Sequence, residues 1–163
     1  MTSILLIEDH PEILENTAEF LELKGFEINT ATNGQEGLEM VSHIKPDLII
    51  SDILMPEMDG YELLKNINSN PQTSTIPFIF LTAKAEKSDQ LLGMELGADD
   101  YLTKPFRCSD LLNTIHHCLQ KKKNLEEQYE NDLDELNDFI LQKRTDLLDW
   151  LSQDHYQNNY YEH

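Results

Sequence analysis

The sequence predicts a doubly wound α/β fold: one sheet of five parallel strands with helices on both faces, followed by a helical extension. Two observations carry that expectation. Short apolar runs alternate five times with segments of helical period, the pattern of a parallel sheet with crossover helices. The alternation stops at Lys121-Lys122-Lys123, beyond which there is no glycine, no proline and no strand-like run.

The apolar runs are SILLIED at 3–9, FEINTA at 26–31, DLIISD at 47–52, PFIFLTA at 77–83 and DDYLTKP at 99–105. The first, third and fourth are almost continuously apolar, as strands covered on both faces are. The second and fifth are shorter and more polar, which suits the periphery of the sheet. Between the first two runs, Ile13, Leu14, Thr17, Phe20 and Leu21 share one helix face that ends at Lys24-Gly25. Asn33-Gly34 reads as a turn, and the segment 34–43 carries Leu38 and Val41. Asp59 is placed to cap a helix over 60–68 that buries Leu63, Leu64 and Ile67. Leu91, Leu92 and Leu96 form the stripe of a helix over 85–96 that Gly97 stops. Leu111, Leu112, Ile115 and Leu119 do the same after Ser109. His116-His117 falls on this last helix with no third ligand in the pattern, and reads as packing and surface. Right-handed crossovers restrict such a chain to doubly wound topologies.

A length of 163 residues gives room for one well-buried domain and a modest appendage. The net charge of −19 repels nucleic acid phosphates and anionic membranes. Cys108 and Cys118 stand ten residues apart in one helix, too far along it for a disulfide, and match no metal spacing. The chain shows no basic leader and no apolar stretch of spanning length, so a cytoplasmic protein with no membrane partner and no nucleic acid is expected.

The polar exceptions to the apolar runs fall at one end of the strands: Glu8 and Asp9 after the first, Asp52 at the third, Thr82 at the fourth, Lys104 at the fifth. In an open parallel sheet those carboxyl ends share an edge, and ligands bind there where the strand order reverses. Placing the first strand beside the third gathers Glu8, Asp9 and Asp52. Three crowded carboxylates repel and raise at least one pKa unless a cation lies among them. Magnesium, small, hard and retaining several waters, suits an oxygen set too sparse for calcium. No His or Cys lies close enough in the pattern to suggest zinc. A lysine beside such a metal suits a tetrahedral anion, and the Thr82 hydroxyl can donate a further hydrogen bond. Carboxylate, metal, lysine and hydroxyl together describe phosphoryl transfer onto Asp52 as nucleophile.

The motifs LLIEDH, SDILMPEMDGYELL, FIFLTA and GADDYLTKPF, in this order and spacing, resemble the receiver domain of two-component response regulators over roughly residues 1–120. The resemblance implies a flavodoxin-like sheet of order 2-1-3-4-5 and Asp52 as phosphoacceptor. It implies magnesium held by Asp9, Asp52 and the backbone carbonyl of Leu54, with Glu8 acting mainly through bound water. Thr82 and Tyr101 take the places of the switch pair and Lys104 that of the phosphate-binding lysine, with a cis Lys104-Pro105 bond. A histidine kinase or phosphotransfer protein is the implied partner. The implied role is a phosphorylation-dependent switch that assists its own phosphorylation and dephosphorylation rather than an enzyme acting on other substrates.

Three alternatives are weighed beside it. A phosphatase of the haloacid-dehalogenase type wants a second aspartate two residues after the nucleophile, where this chain has Leu54. A transcription factor wants a DNA-binding region, whereas residues 121–163 carry eleven acidic against five basic residues. Family members that dimerise through the fourth and fifth helices usually carry arginines in the fifth, where this chain has Asn113, Thr114, His116 and His117. The third alternative is a receiver fragment of a longer protein whose histidine-kinase or cyclase output follows the helical linker.

Residues 121–163 form the acidic extension. Tyr129, Leu133, Leu136, Ile140, Leu147 and Trp150 follow alternating four- and three-residue steps, the seam of a coiled coil over 124–151. Glu126 and Lys143 interrupt that seam, while Phe139, Leu148 and Leu151 widen it. A homodimer through 124–151 is expected, with a frayed tail after about residue 152; a helix folded back on its own receiver and a plain linker are the alternatives.

Overall fold

The computed structural model describes residues 1–84 and 86–158, and of 154–158 only the backbone. The tail expected to fray after about residue 152 is helical backbone as far as Asn158, and its remainder, residues 159–163, lies outside the described residues. The chain divides into two compact units, Met1–Lys121 and a second that begins at Lys122.

The first unit holds strands β1 (Ser3–Ile7), β2 (Glu27–Ala31), β3 (Leu48–Ser51), β4 (Phe78–Thr82) and β5 (Asp100–Thr103). Every pairing is parallel and the order is β2-β1-β3-β4-β5. The polarity of each run sets its place. β1, β3 and β4 are buried and central, and the more polar β2 and β5 form the edges. Side chains alternate between the two faces of the sheet. Ile4, Leu6 and Ile50 pack on one face with Leu14 and Leu21 of α1 (Pro11–Leu23) and with Leu111 and Ile115 of α5 (Cys108–Asn158). Leu5, Ile7 and Ile49 pack on the other with Val41 of α2 (Gly34–Ile44) and with Leu63, Leu64 and Ile67 of α3 (Gly60–Ser69). Each such aliphatic side chain contributes about 1.5–3 kcal/mol on full burial.

Local chemistry fixes where these helices begin and end. Pro11 opens α1 at a position whose N–H would be unpaired in any case, and Gly25 closes the turn after it at φ 92°. The Asn33 side chain accepts from the Glu36 amide at 2.8 Å, and the Glu36 carboxylate accepts in return from the Thr32 amide at 2.9 Å. Asp59 caps α3 by accepting from the Glu62 amide at 2.8 Å.

The helix between β4 and β5 departs from the expectation. α4 spans Lys87–Glu95, and Leu91 and Leu92 are 53% and 42% exposed rather than buried. The residue it buries is Gly93, where a Cβ would come within 3.1–3.2 Å of the Phe80 and Tyr101 rings. The contact is backbone against two aromatic rings, so the leucines turn outward. In α5, Cys118 also belongs to the core beside Leu111 and Ile115, a position the apolar stripe did not include.

Beyond Lys121 the helix is supported along its own length by ion pairs one turn apart, Lys122–Glu126 at 3.8 Å and Lys123–Glu127 at 3.9 Å. No helix among the described residues is long and apolar enough to cross a membrane.

Gly60 ties the fold to the edge where the polar residues collect. Its amide donates to the Ile53 carbonyl at 2.8 Å, and a Cβ there would stand 2.3 Å from the Asp52 carbonyl oxygen and 2.9 Å from the Ile53 Cα. The sharp turn after β3 closes because this residue has no side chain. Gly60→Ala is expected to destabilise the first unit by about 1–3 kcal/mol, read from urea unfolding; an unchanged midpoint would show that the turn yields freely.

Candidate functional site

Strand register brings the polar residues together. Ile7 of β1 pairs with Ser51 of β3, so Glu8 and Asp52 follow adjacent strands at the same level. The Asp52 amide donates to the Ile7 carbonyl at 3.0 Å and holds that level past the end of the strands. Thr82 pairs with Thr103, and the Lys104 amide donates to the Thr82 carbonyl at 2.8 Å. The Lys104-Pro105 peptide is cis.

Lys104 is the hub. Its ammonium makes an ion pair with Glu8 and a second with Asp52 Oδ2 at 3.1 Å. The other carboxylate oxygen of Asp52 accepts from the Ile53 amide at 2.6 Å. Glu8 is only 3% exposed, and burial pushes its carboxyl up despite the hydrogen bonds from Lys104 and the His10 amide. For Lys104 burial acts downward, but the Glu8 hydrogen bond and the Asp52 and Glu8 charges outweigh it and hold the ammonium above its ordinary value.

Glu8, Asp9 and His10 bring ligand atoms within 4.8 Å of one another. His10 was absent from the expected set. It stands just before Pro11 as the N-cap of α1, so its place at the edge follows from where that helix starts. Leu54 lies in the loop after β3 with its side chain 61% exposed. Asp52 is not in the group of Glu8, Asp9 and His10 and is linked to Glu8 through the shared Lys104; the carboxylates of Glu8, Asp9 and Asp52 are hard oxygen donors of the kind a small divalent cation such as magnesium takes.

Thr82 and Tyr101 meet at a single residue, Lys84. Buried Thr82 accepts through its hydroxyl oxygen from the Lys84 amide at 3.3 Å, while the Tyr101 hydroxyl donates to the Lys84 carbonyl at 2.5 Å. The Tyr101 ring packs on Phe80 at 5.9 Å between centroids, and burial raises its hydroxyl pKa, keeping it a donor. The Lys84 side chain extends the network, 3.6 Å from the Asp89 carboxylate and 5.8 Å from the Tyr61 ring centroid. Sequence reasoning missed Lys84, because its part is played largely by a backbone.

A second cluster joins Asp100, His117 and Cys118 within 4.8 Å, so His117 has beside it Cys118 of its own helix and Asp100 of β5, which the helix alone did not reveal. Burial, then the Asp100 and Asp99 charges, push the Cys118 thiol up to about 12. Its sulfur is a protonated part of the core. Exposed Cys108 is expected to alkylate readily in the folded protein and Cys118 only in denaturant; double alkylation under native conditions, by intact mass, would contradict this packing.

An open parallel sheet of flavodoxin type, with an acidic edge answered by one lysine, defines the class of fold and site. The family model of the response regulator receiver domain matches residues 4–116. Response regulator SaeR of Staphylococcus aureus is 35% identical over 128 residues, covering 78% of this chain and 55% of the relative. The chain thus spans about half the length of the curated relatives it matches. Among solved structures, chemotaxis protein CheY4 of Vibrio cholerae aligns with TM-score 0.69 and 31% identity, over 72% of this chain and 98% of that one. The signal receiver domain of a signal transduction histidine kinase from Syntrophus aciditrophicus aligns with TM-score 0.69 and 39% identity, over 74% and 92%. The chain belongs to the response regulator receiver family, whose members are signalling domains of two-component systems.

Proposed function

We propose that the chain is a phosphorylation-dependent switch in which Asp52 accepts the phosphoryl group. The observation that carries this reading is the position of Lys104 Nζ, 3.1 Å from Asp52 Oδ2 and also paired with Glu8. A phosphohistidine of a histidine kinase or phosphotransfer protein, or a small phosphodonor, is the source. An Asp52 carboxylate oxygen attacks phosphorus in line, the bond from phosphorus to the donor breaks, and the donor histidine leaves with the bonding electron pair. Glu8, Asp9, Asp52 and the Leu54 carbonyl would hold magnesium, which supplies charge neutralisation for the transferred group, Glu8 mainly through water. Lys104 neutralises the phosphoryl oxygens from the other side.

Phosphorylation adds about two negative charges in a small volume. The Thr82 hydroxyl then turns to donate to a phosphoryl oxygen and gives up its contact with the Lys84 amide. Since Tyr101 holds the carbonyl of the same residue, that change reaches Tyr101 and the neighbouring α4. Exposed Leu91 and Met94 lie on α4 beside this aromatic. The face built from α4, β5 and the start of α5 is the surface whose partner changes. This is a population shift between two packings biased by a local charge. The second unit pairs two chains through 124–151.

A second reading, a receiver ahead of a histidine-kinase or cyclase output, is favoured by the similarity to the kinase-borne receiver from Syntrophus aciditrophicus.

With a small phosphodonor and magnesium, the native chain is expected to gain one phosphoryl adduct by intact mass and Asp52→Asn none. An adduct persisting on that variant would reject the site. Lys104→Ala is expected to keep an adduct while losing the NMR shift change at Tyr101 on phosphorylation. An unchanged response would remove Lys104 from the coupling.

A further inference from the structure

Along the helix beyond Lys121, large apolar side chains from Leu125 to Leu151 are 46–62% exposed. Six of these eleven side chains fall in two rows. Leu125, Leu136 and Leu147 are eleven residues apart, as are Tyr129, Ile140 and Leu151. An eleven-residue spacing is close to a whole number of helical turns, so both rows stay on one side of a nearly straight helix. It also brings Leu125 and Leu151 onto the face that the seven-residue pattern left them off.

The two rows are mirror images about Asp138. Leu136 and Ile140 lie two residues either side of it, Tyr129 and Leu147 nine, Leu125 and Leu151 thirteen. Reversing the helix end for end therefore lays one row onto the other. The two basic residues meet an acidic segment under the same reversal. Lys143 and Arg144 are the only lysine or arginine beyond Lys123, and the reversal sets them level with Leu133 and Asp132. That level is the acidic segment containing Glu130, Asp132, Asp134 and Glu135.

A parallel pair does the opposite. It stacks Lys143 on Lys143 in the seam, basic level on basic level, and acidic segment on acidic segment. Like charges facing across a helix pair disfavour that register, and opposite charges select the other.

We infer that the occupant of this face is a second copy of the same helix running antiparallel, centred near Asp138, with Lys143 and Arg144 against the acidic segment of the second copy. The inference rests on the proposed pairing through 124–151 and adds its direction. An antiparallel pair sets the two amino-terminal ends of these helices far apart, whereas a parallel pair sets them side by side.

The test uses the full chain with Cys108→Ser and Ser152→Cys, spin-labelled at the new cysteine while buried Cys118 stays unlabelled. Ser152 is fourteen residues from the centre, so at about 1.5 Å per residue the antiparallel pair separates the labels by about 40 Å. A parallel pair, with axes about 8–10 Å apart, holds them within about 20 Å. The long distance is expected, and the short one overturns the orientation. Light scattering on the same sample separates the two layers of the argument: a monomer at tens of micromolar overturns the pairing itself. In a second arm, Lys143→Glu with Arg144→Glu is expected to weaken the dimer about tenfold or more. Adding Asp132→Lys and Asp134→Lys should restore it to within about threefold. Failure of that rescue, with helicity retained by circular dichroism, counts against the antiparallel register.

Discussion

The first unit is organised around one ammonium group shared by two carboxylates. Glu8 is almost fully buried at the end of β1, and a buried carboxylate is costly unless it is paired and hydrogen-bonded. Lys104 supplies that pairing from the far side of the sheet, ninety-six residues away in sequence, and reaches Asp52 with the same nitrogen. Breaking one partner out of such a buried set typically costs about 3–5 kcal/mol, because the remaining charge is left uncompensated. The parallel register of β1 with β3 and of β4 with β5 is what makes the shared contact possible. On the proposed reading, stability and chemistry draw on the same three side chains.

From this follows how a charge at Asp52 is felt elsewhere. Any added negative group beside Asp52 competes with Glu8 for Lys104. It also offers a charged acceptor to the buried Thr82 hydroxyl, whose oxygen accepts from the Lys84 amide. Thr82 and Tyr101 hold the two ends of the Lys84 residue, and Tyr101 in turn lies under Gly93 of α4. A glycine is what allows the helix to sit this close to the ring. On the proposed reading, the path from phosphoacceptor to α4 consists of one hydroxyl, one backbone segment and one ring.

Much of this was legible in the sequence, and the reasons are physical. Buried parallel strands must be apolar on both faces, so LLI, LII and FIF stood out, and the polar residue ending each run marked the edge. The cap Asp59 and the stop at Gly97 were legible because a side chain, or the lack of one, acts locally, whereas Asn33, read as part of a turn, caps α2. What was not legible depended on distant contacts. Leu91 and Leu92 followed helical spacing but α4 packs through Gly93, a residue with no hydrophobic signature. Cys118 carried no sign of core membership, and its approach to Asp100 depends on β5 lying beside α5. Lys104 announced an anion, yet its pairing with Glu8 required the sheet register.

On the proposed reading, Glu8, Asp9 and Asp52 with Lys104 form one site whose excess negative charge is answered by a divalent cation. Magnesium titration followed through the carboxylate carbon NMR resonances tests it most directly. The expected result is saturable binding of one magnesium per chain, with shifts concentrated at Asp9 and Asp52 and affinity lowered at least about tenfold in Asp9→Asn. Shifts spread evenly over the acidic surface, or an affinity indifferent to Asp9, would contradict the account.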